Sequence, residues 1–311
     1  MSEQFCDVGE GITLCYETVG DPSDPTALLV MGLGTQMIAW HEDFCRRLAE
    51  RGLHVVRFDN RDIGRSTHLE GRPPSIAQLL RRSRAAAVYT LADMAEDASR
   101  LLAELKLAPA HVVGASMGGM IAQTLAARHP EQVRSLVSIM SNTGQRWSGQ
   151  PSPRLYAALL RRAPREREAF VRHMEGVFAA IGSPGALRDV DDVRVLAGAS
   201  YDRDHDPSGP GRQLAAIIAS GDRTRELRRV AAPTLVIHGS ADRLVAPSGG
   251  RATARAIPGA SLMKIPGMGH DLPRALWPTL LDAIAEHAHR ADAERAEELE
   301  AERPQRARAP G

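Results

Sequence analysis

Three residue types that can share one reaction stand in loops of small residues, each directly after an apolar run. Ser116 lies in Gly114-Ala115-Ser116-Met117-Gly118. Asp242 lies in Gly239-Ser240-Ala241-Asp242, and His270 in Pro266-Gly267-Met268-Gly269-His270. A serine hydroxyl is a weak nucleophile at neutral pH. It needs a base within hydrogen-bond reach, and the base needs a carboxylate to fix its tautomer. Serine, histidine and aspartate are those three parts, and the chemistry they allow is acyl transfer through a covalent intermediate.

The surrounding elements decide whether the parts can meet. Ala110-His111-Val112-Val113, short and apolar, predicts a buried strand ahead of the serine, and the run from Met120 to Ala127 predicts a helix after it. A G-x-S-x-G between strand and helix is a nucleophile elbow. Gly114 and Gly118 leave room for a turn so tight that the serine stands at the carboxyl end of the sheet. Asp242 follows the apolar run Thr234-Leu235-Val236-Ile237-His238, and His270 follows Ser261-Leu262-Met263-Lys264-Ile265. All three therefore sit at carboxyl ends of predicted strands, where loops of an open sheet converge.

The rest of the chain supports such a sheet. Two short strands are expected around Gly9-Glu10-Gly11. Residues 27–31 read as a strand covered on both faces, because their apolar residues run without alternation, and residues 53–58 read as the next strand. Residues 41–51 suit a helix with Gly52 as its cap, and residues 90–106 carry apolar positions at helical spacing. Residues 133–140 are another strand, and residues 274–289 a closing helix. Strand and helix alternate, which predicts a parallel sheet between helices. The alternation stops near Asn142 and returns at Pro233. Residues 145–229 read as a helical insertion broken by prolines, and their fifteen arginines are expected mainly on a solvated face. The tail beyond residue 290 is expected to begin helical and end disordered.

A quarter of the residues are charged, yet the net charge is only +1, so neither nucleic acid nor a membrane surface is an expected partner. Three cysteines without motif spacing predict neither a disulfide framework nor a metal site. The N-terminus lacks a basic region followed by an apolar run, and no stretch approaches the roughly 20 apolar residues of a membrane span. The expected setting is cytoplasmic, as a monomer or homodimer.

On these motifs the chain resembles the α/β-hydrolase family, whose triad follows the order Ser, Asp, His. The likeness covers roughly residues 10–290. Val30-Met31-Gly32-Leu33-Gly34 occupies the place of the family's oxyanion segment. Asp59-Asn60-Arg61-Asp62-Ile63-Gly64-Arg65-Ser66 looks like the loop after the fourth strand. Met31 before the oxyanion glycine is similar to a bacterial subgroup that includes aclacinomycin methylesterase. The resemblance implies an α/β-hydrolase fold: a mostly parallel sheet of about eight strands, helices on both faces and a helical cap. The core would be residues 1–144 and 230–290, the cap residues 145–229, and residues 291–311 a flexible tail. It implies Ser116 as nucleophile, His270 as base, Asp242 as acid, and the N–H groups of Leu33 and Met117 as oxyanion hole. Some relatives place the acid after the sixth strand; here that loop, Ser141-Asn142-Thr143-Gly144, has no carboxylate.

The implied activity is hydrolysis of small or medium, fairly apolar carboxylic esters, with a small-molecule ester as partner and no metal or organic cofactor. A cofactor-free perhydrolase or haloperoxidase, a lactonase and a carbon–carbon bond hydrolase use the same triad. A hydrolase-fold ligand receptor is the alternative outside enzymes. Asp59, Arg61 and Asp62 are expected to hold their loop together, and His238 and Cys45 to be buried structure.

Overall fold

The structure, a computed structural model, describes residues 2–71, 75, 78, 87–152, 155 and 163–306, the last five by backbone alone. Eight strands form one sheet: β1 (Gln4–Asp7), β2 (Thr13–Val19), β3 (Thr26–Val30), β4 (His54–Phe58), β5 (Ala110–Ala115), β6 (Val133–Ile139), β7 (Thr234–Gly239) and β8 (Ser261–Ile265). Their spatial order is β1-β2-β4-β3-β5-β6-β7-β8. The hairpin of β1 and β2 joins β4 antiparallel, and every pair from β4 to β8 is parallel. This is the α/β-hydrolase sheet expected from the sequence, with eight strands.

The unbroken apolar runs are explained by helices on both faces. Leu28, Val30, Val56 and Val112 pack with Met94, Leu101, Ile121 and Leu125 on one side. Ala27, Leu29, Val55 and Val113 pack with Phe44, Leu48, Leu280 and Ile284 on the other. Among the described residues the α-helices are α1 (Glu42–Ala49), α2 (Leu91–Glu104), α3 (Met117–Arg128), α4 (Arg167–Ile181), α5 (Val190–Arg203), α6 (Gly209–Ser220), α7 (Thr224–Leu227), α8 (Ser248–Ala256) and α9 (Trp277–Arg306). Thr90 and Asp93 cap α2 reciprocally, which fixes its start one residue inside the predicted span. The closing helix runs to Arg306, well past residue 289. No helix among the described residues is long and apolar enough to cross a membrane.

Between β6 and β7 the described residues hold α4 to α7 and no strand. The prolines delimit these helices: α4 lies between Pro164 and Pro184, α5 between Pro184 and Pro207, and Pro210 opens α6. A proline early in a helix loses no internal hydrogen bond, which is why Pro210 is tolerated there. Residues 153–154 and 156–162 of the predicted helical stretch lie outside the described residues, as do residues 307–311 of the tail.

Three of the inserted arginines depart from the solvated face expected of them. Arg203 pairs with Asp59 at 2.6 Å and donates to Gln36 Oε1 at 2.9 Å. Arg212 forks onto both oxygens of Asp62, at 2.9 and 2.7 Å. Arg223 donates to the Met120 and Asn142 carbonyls and to Gln123 Oε1; burial lowers its pKa to about 10. Asp59 and Asp62 are fully buried. They do hold the loop after β4, since Asp59 also accepts from the Met37 and Arg65 N–H groups and Asp62 from Leu69 N–H. Their second use is to receive the insertion.

Losing one partner of a buried ion pair leaves an uncompensated charge. Arg212→Met is therefore expected to destabilise the fold by about 3 kcal/mol or more, because it leaves the buried Asp62 carboxylate unpaired beside Asp206. Chemical denaturation checks it, and Asp62→Asn in the same chain should recover much of the loss. An unchanged midpoint for Arg212→Met would contradict the anchoring role.

Candidate active site

The nucleophile elbow is built by close backbone approach. Ser116 sits between β5 and α3 with φ 56° and ψ −119°, a conformation that costs a non-glycine residue about 1–3 kcal/mol. A Cβ at Gly114 would lie 2.2 Å from the Gly118 carbonyl oxygen, and one at Gly118 would lie 2.1 Å from that of Val30. Any side chain at either position would push the turn open. The strain is held by the strand and helix on either side, and it lifts the serine hydroxyl out of the sheet.

The two other loops bring their residues to it. His270 Nε2 lies 2.9 Å from Ser116 Oγ, and His270 Nδ1 lies 2.8 Å from Asp242 Oδ2. With a proton on Nδ1 shared with Asp242, Nε2 is free to accept from the serine. Asp242 Oδ1 accepts from the Leu244 and Val245 N–H groups, both at 2.9 Å. Burial by itself would raise the Asp242 pKa. The field of the adjoining His270, with hydrogen bonds from His238 and His270, outweighs it and holds the value at about 2. The carboxylate is thus ionised wherever the enzyme would work. His238 Nε2 donates to the Val245 carbonyl at 2.8 Å and stands 3.5 Å from Asp242 Oδ2, so this buried histidine also lines the acid loop.

The segment Val30-Met31-Gly32-Leu33-Gly34 runs against Ser116. A Cβ on Gly32 would lie 3.1 Å from Ser116 Cβ and 3.6 Å from Oγ, so the segment that carries Leu33 passes close to the hydroxyl. Met117 is the first residue of α3, and its N–H has no carbonyl one turn back to bond. It also lies at the positive end of that helix's dipole. The segment is held from two sides. Asn60 Nδ2 donates to the Met31 carbonyl at 2.9 Å. Gln213 of α6 accepts from Gly34 N–H at 2.8 Å and donates to the Arg61 carbonyl at 2.9 Å. Pro210 packs on Gly34, where an added Cβ would meet it at 3.2 Å.

All seven residues singled out in the sequence therefore lie in one cluster at the carboxyl ends of β3, β5, β7 and β8. Gln213 was not among them. A lone glutamine on a helical stretch has no local signal; only its helical setting among small residues at Ala215 and Ala216 hints at burial. Cys15 and Cys45 are buried thiols, and both are pushed up to about 12 by burial, which makes them inert at neutral pH.

Residues 25–273 match the family model of the alpha/beta hydrolase fold. The chain belongs to this family. It is similar to rhodomycin D methylesterase DauP of Streptomyces sp. (strain C5), with 30% identity over 90% of this chain and 96% of that one. Rhodomycin D methylesterase DnrP of Streptomyces peucetius is 30% identical over the same shares. Among solved structures, a hydrolase from Pseudomonas aeruginosa PA01 is 26% identical and superposes with a TM-score of 0.68 over 92% of this chain and 97% of that one.

Proposed function

We propose that this protein is a serine hydrolase that cleaves small-molecule carboxylic esters. The observation that carries the reading is the hydrogen-bonded chain from Ser116 Oγ through His270 to Asp242, with a backbone amide segment beside the hydroxyl. Similarity to two methylesterases along nearly the whole chain supports an ester as substrate.

In this reading Ser116 Oγ attacks the acyl carbon while its proton passes to His270 Nε2. The carbonyl oxygen becomes an oxyanion held by the N–H groups of Leu33 and Met117, donors of a kind typically worth roughly 3 kcal/mol each in the transition state. As the tetrahedral adduct collapses, the carbon–oxygen bond breaks and the imidazolium gives its proton to the leaving alcohol. Water, deprotonated by His270, then attacks the acyl-enzyme and frees the acid and Ser116. Asp242 orients the ring and stabilises the imidazolium in both halves. In this reading the described part of the insertion between β6 and β7 is the cap over the site, receiving fairly apolar acyl and alcohol groups. Contacts of the insertion with Gly34 on one side and Gly269 on the other support that placement.

A series of p-nitrophenyl esters of rising acyl length, run beside methyl esters of bulky acids, tests the reading. Expected is turnover of several members, with kcat/KM changing by about tenfold or more along the series, since each methylene in a pocket is worth roughly 1–3 kcal/mol. Absence of turnover for every ester, with folded protein, would remove it. Exchanging residues 145–229 with the matching segment of a related hydrolase should alter the preference; an unchanged profile would count against the cap.

A further inference from the structure

The loop that carries His270 is held in two halves by different parts of the molecule. The first half is tied to the acid loop: Gly267 N–H donates to Ser240 Oγ at 2.9 Å, and Ala241 N–H donates to the Met268 carbonyl at 2.9 Å. The second half is tied to the end of α4. His270 N–H donates to the Ile181 carbonyl at 2.9 Å, and Gly269 N–H donates to Ser183 Oγ at 2.8 Å. Ser183 in turn donates twice to Asp271, from its hydroxyl to Oδ1 at 2.6 Å and from its N–H to Oδ2 at 2.8 Å. The backbones touch, since a Cβ on Gly269 would lie 2.3 Å from the Gly182 carbonyl carbon. Ser183 is fully buried.

We propose that Ser183 and Asp271 are positioning residues for catalysis: together they clamp the backbone of His270 from the inserted segment, so that the base reaches Ser116 only while α4 is docked. The proposal rests on the serine hydrolase reading above. The sheet itself does not fix the base, because β8 ends at Ile265 and the main-chain bonds at Gly269 and His270 both go to residues 181–183. Ser183 fills both roles of a hydroxyl, accepting from the loop and donating to the carboxylate. Alanine at this position removes both bonds at once and strands the Gly269 N–H in a buried place. Burial raises the Asp271 pKa, and the two Ser183 bonds partly offset this, so the carboxylate also depends on its partner. Among the described residues Asp271 bonds Ser183 and not Ser116, so it acts through the histidine's backbone. A base displaced by even 1 Å loses roughly a hundredfold in rate.

The test uses the full chain carrying Ser183→Ala, Asp271→Asn, or both, with two readouts. Hydrogen–deuterium exchange followed by mass spectrometry reads the amides of residues 267–271. Steady-state hydrolysis of a p-nitrophenyl ester, compared with Ser116→Ala as blank, reads kcat and KM separately. Expected is exchange faster by roughly tenfold in this loop, with the β5 and β6 amides unchanged. Also expected is a kcat lowered roughly ten- to hundredfold at nearly constant KM. The double variant should lose no more than the worse single, because both residues act through one clamp. Asp271→Asn keeps the side-chain volume and carries the test if Ser183→Ala does not fold. Unchanged exchange overturns the clamp. Faster exchange with kcat within about twofold of the parent overturns the catalytic role, as does a loss confined to KM. A parent with no Ser116-dependent turnover overturns the hydrolase reading, and the catalytic role of the pair with it, whereas the exchange result still decides whether the pair holds the loop.

Discussion

Ser116→Ala is expected to lower ester turnover at least about a thousandfold while leaving the melting temperature close to that of the parent. The size follows from removing the nucleophile of a covalent mechanism. What remains is the binding and oxyanion contribution, which acts on water attack alone. Among the described residues the hydroxyl hydrogen-bonds only His270, so little stability goes with it. Alanine keeps the Cβ that Gly32 packs against and demands the same positive φ. The check is steady-state kinetics on purified variant, with the concentration of contaminating esterase bounded by a mock preparation. A variant within about tenfold of the parent would mean that another residue attacks the ester.

Asp242→Asn is expected to keep the fold and lose roughly a thousand- to ten-thousandfold in kcat. Asparagine fits the same space and can still accept from the Leu244 and Val245 N–H groups. Its amide nitrogen then faces His270 Nδ1 and selects the tautomer with the proton on Nε2, which cannot take the serine proton. The depressed pKa of Asp242 adds a pH signature. A carboxylate whose folded value lies below its unfolded value of about 3.9 stabilises the protein above that value and loses this contribution as the pH falls toward about 2. Asp242 therefore stays ionised above about pH 4, and an acid limb of kcat/KM between pH 5 and 8 must come from another group. Persistence of near-parental turnover in Asp242→Asn would show that the acid lies elsewhere.

The proposed triad was legible because each member stands in a loop directly after a predicted strand, and because small residues flank it for reasons of space. Gly114 and Gly118 are required by backbone contacts with Gly118 and Val30 that any five-residue elbow makes. The parallel sheet was legible for the same reason, since strands covered on both faces show no alternation. The roles of the insertion were not. Arg203 meets Asp59 and Arg212 meets Asp62 across about 150 residues of chain, and an arginine bound for a buried carboxylate has the same local sequence as one bound for water. Gln213 and Ser183 are single polar residues with no motif around them. The helical start expected of the tail continues the closing helix to Arg306, since residues 290–301 consist mostly of Ala, Glu and Arg, which favour helix even where little core is faced.

Covalent labelling tests the central claim most directly. A fluorophosphonate ester, added to the full chain at neutral pH, should give one adduct and abolish ester turnover in proportion. After tryptic digestion the adduct should lie on the peptide of residues 107–128, in which Ser116 is the only serine. Ser116→Ala should take up none. An adduct on any other residue that tracks the loss of activity, or full turnover with Ser116 completely labelled, would contradict the account.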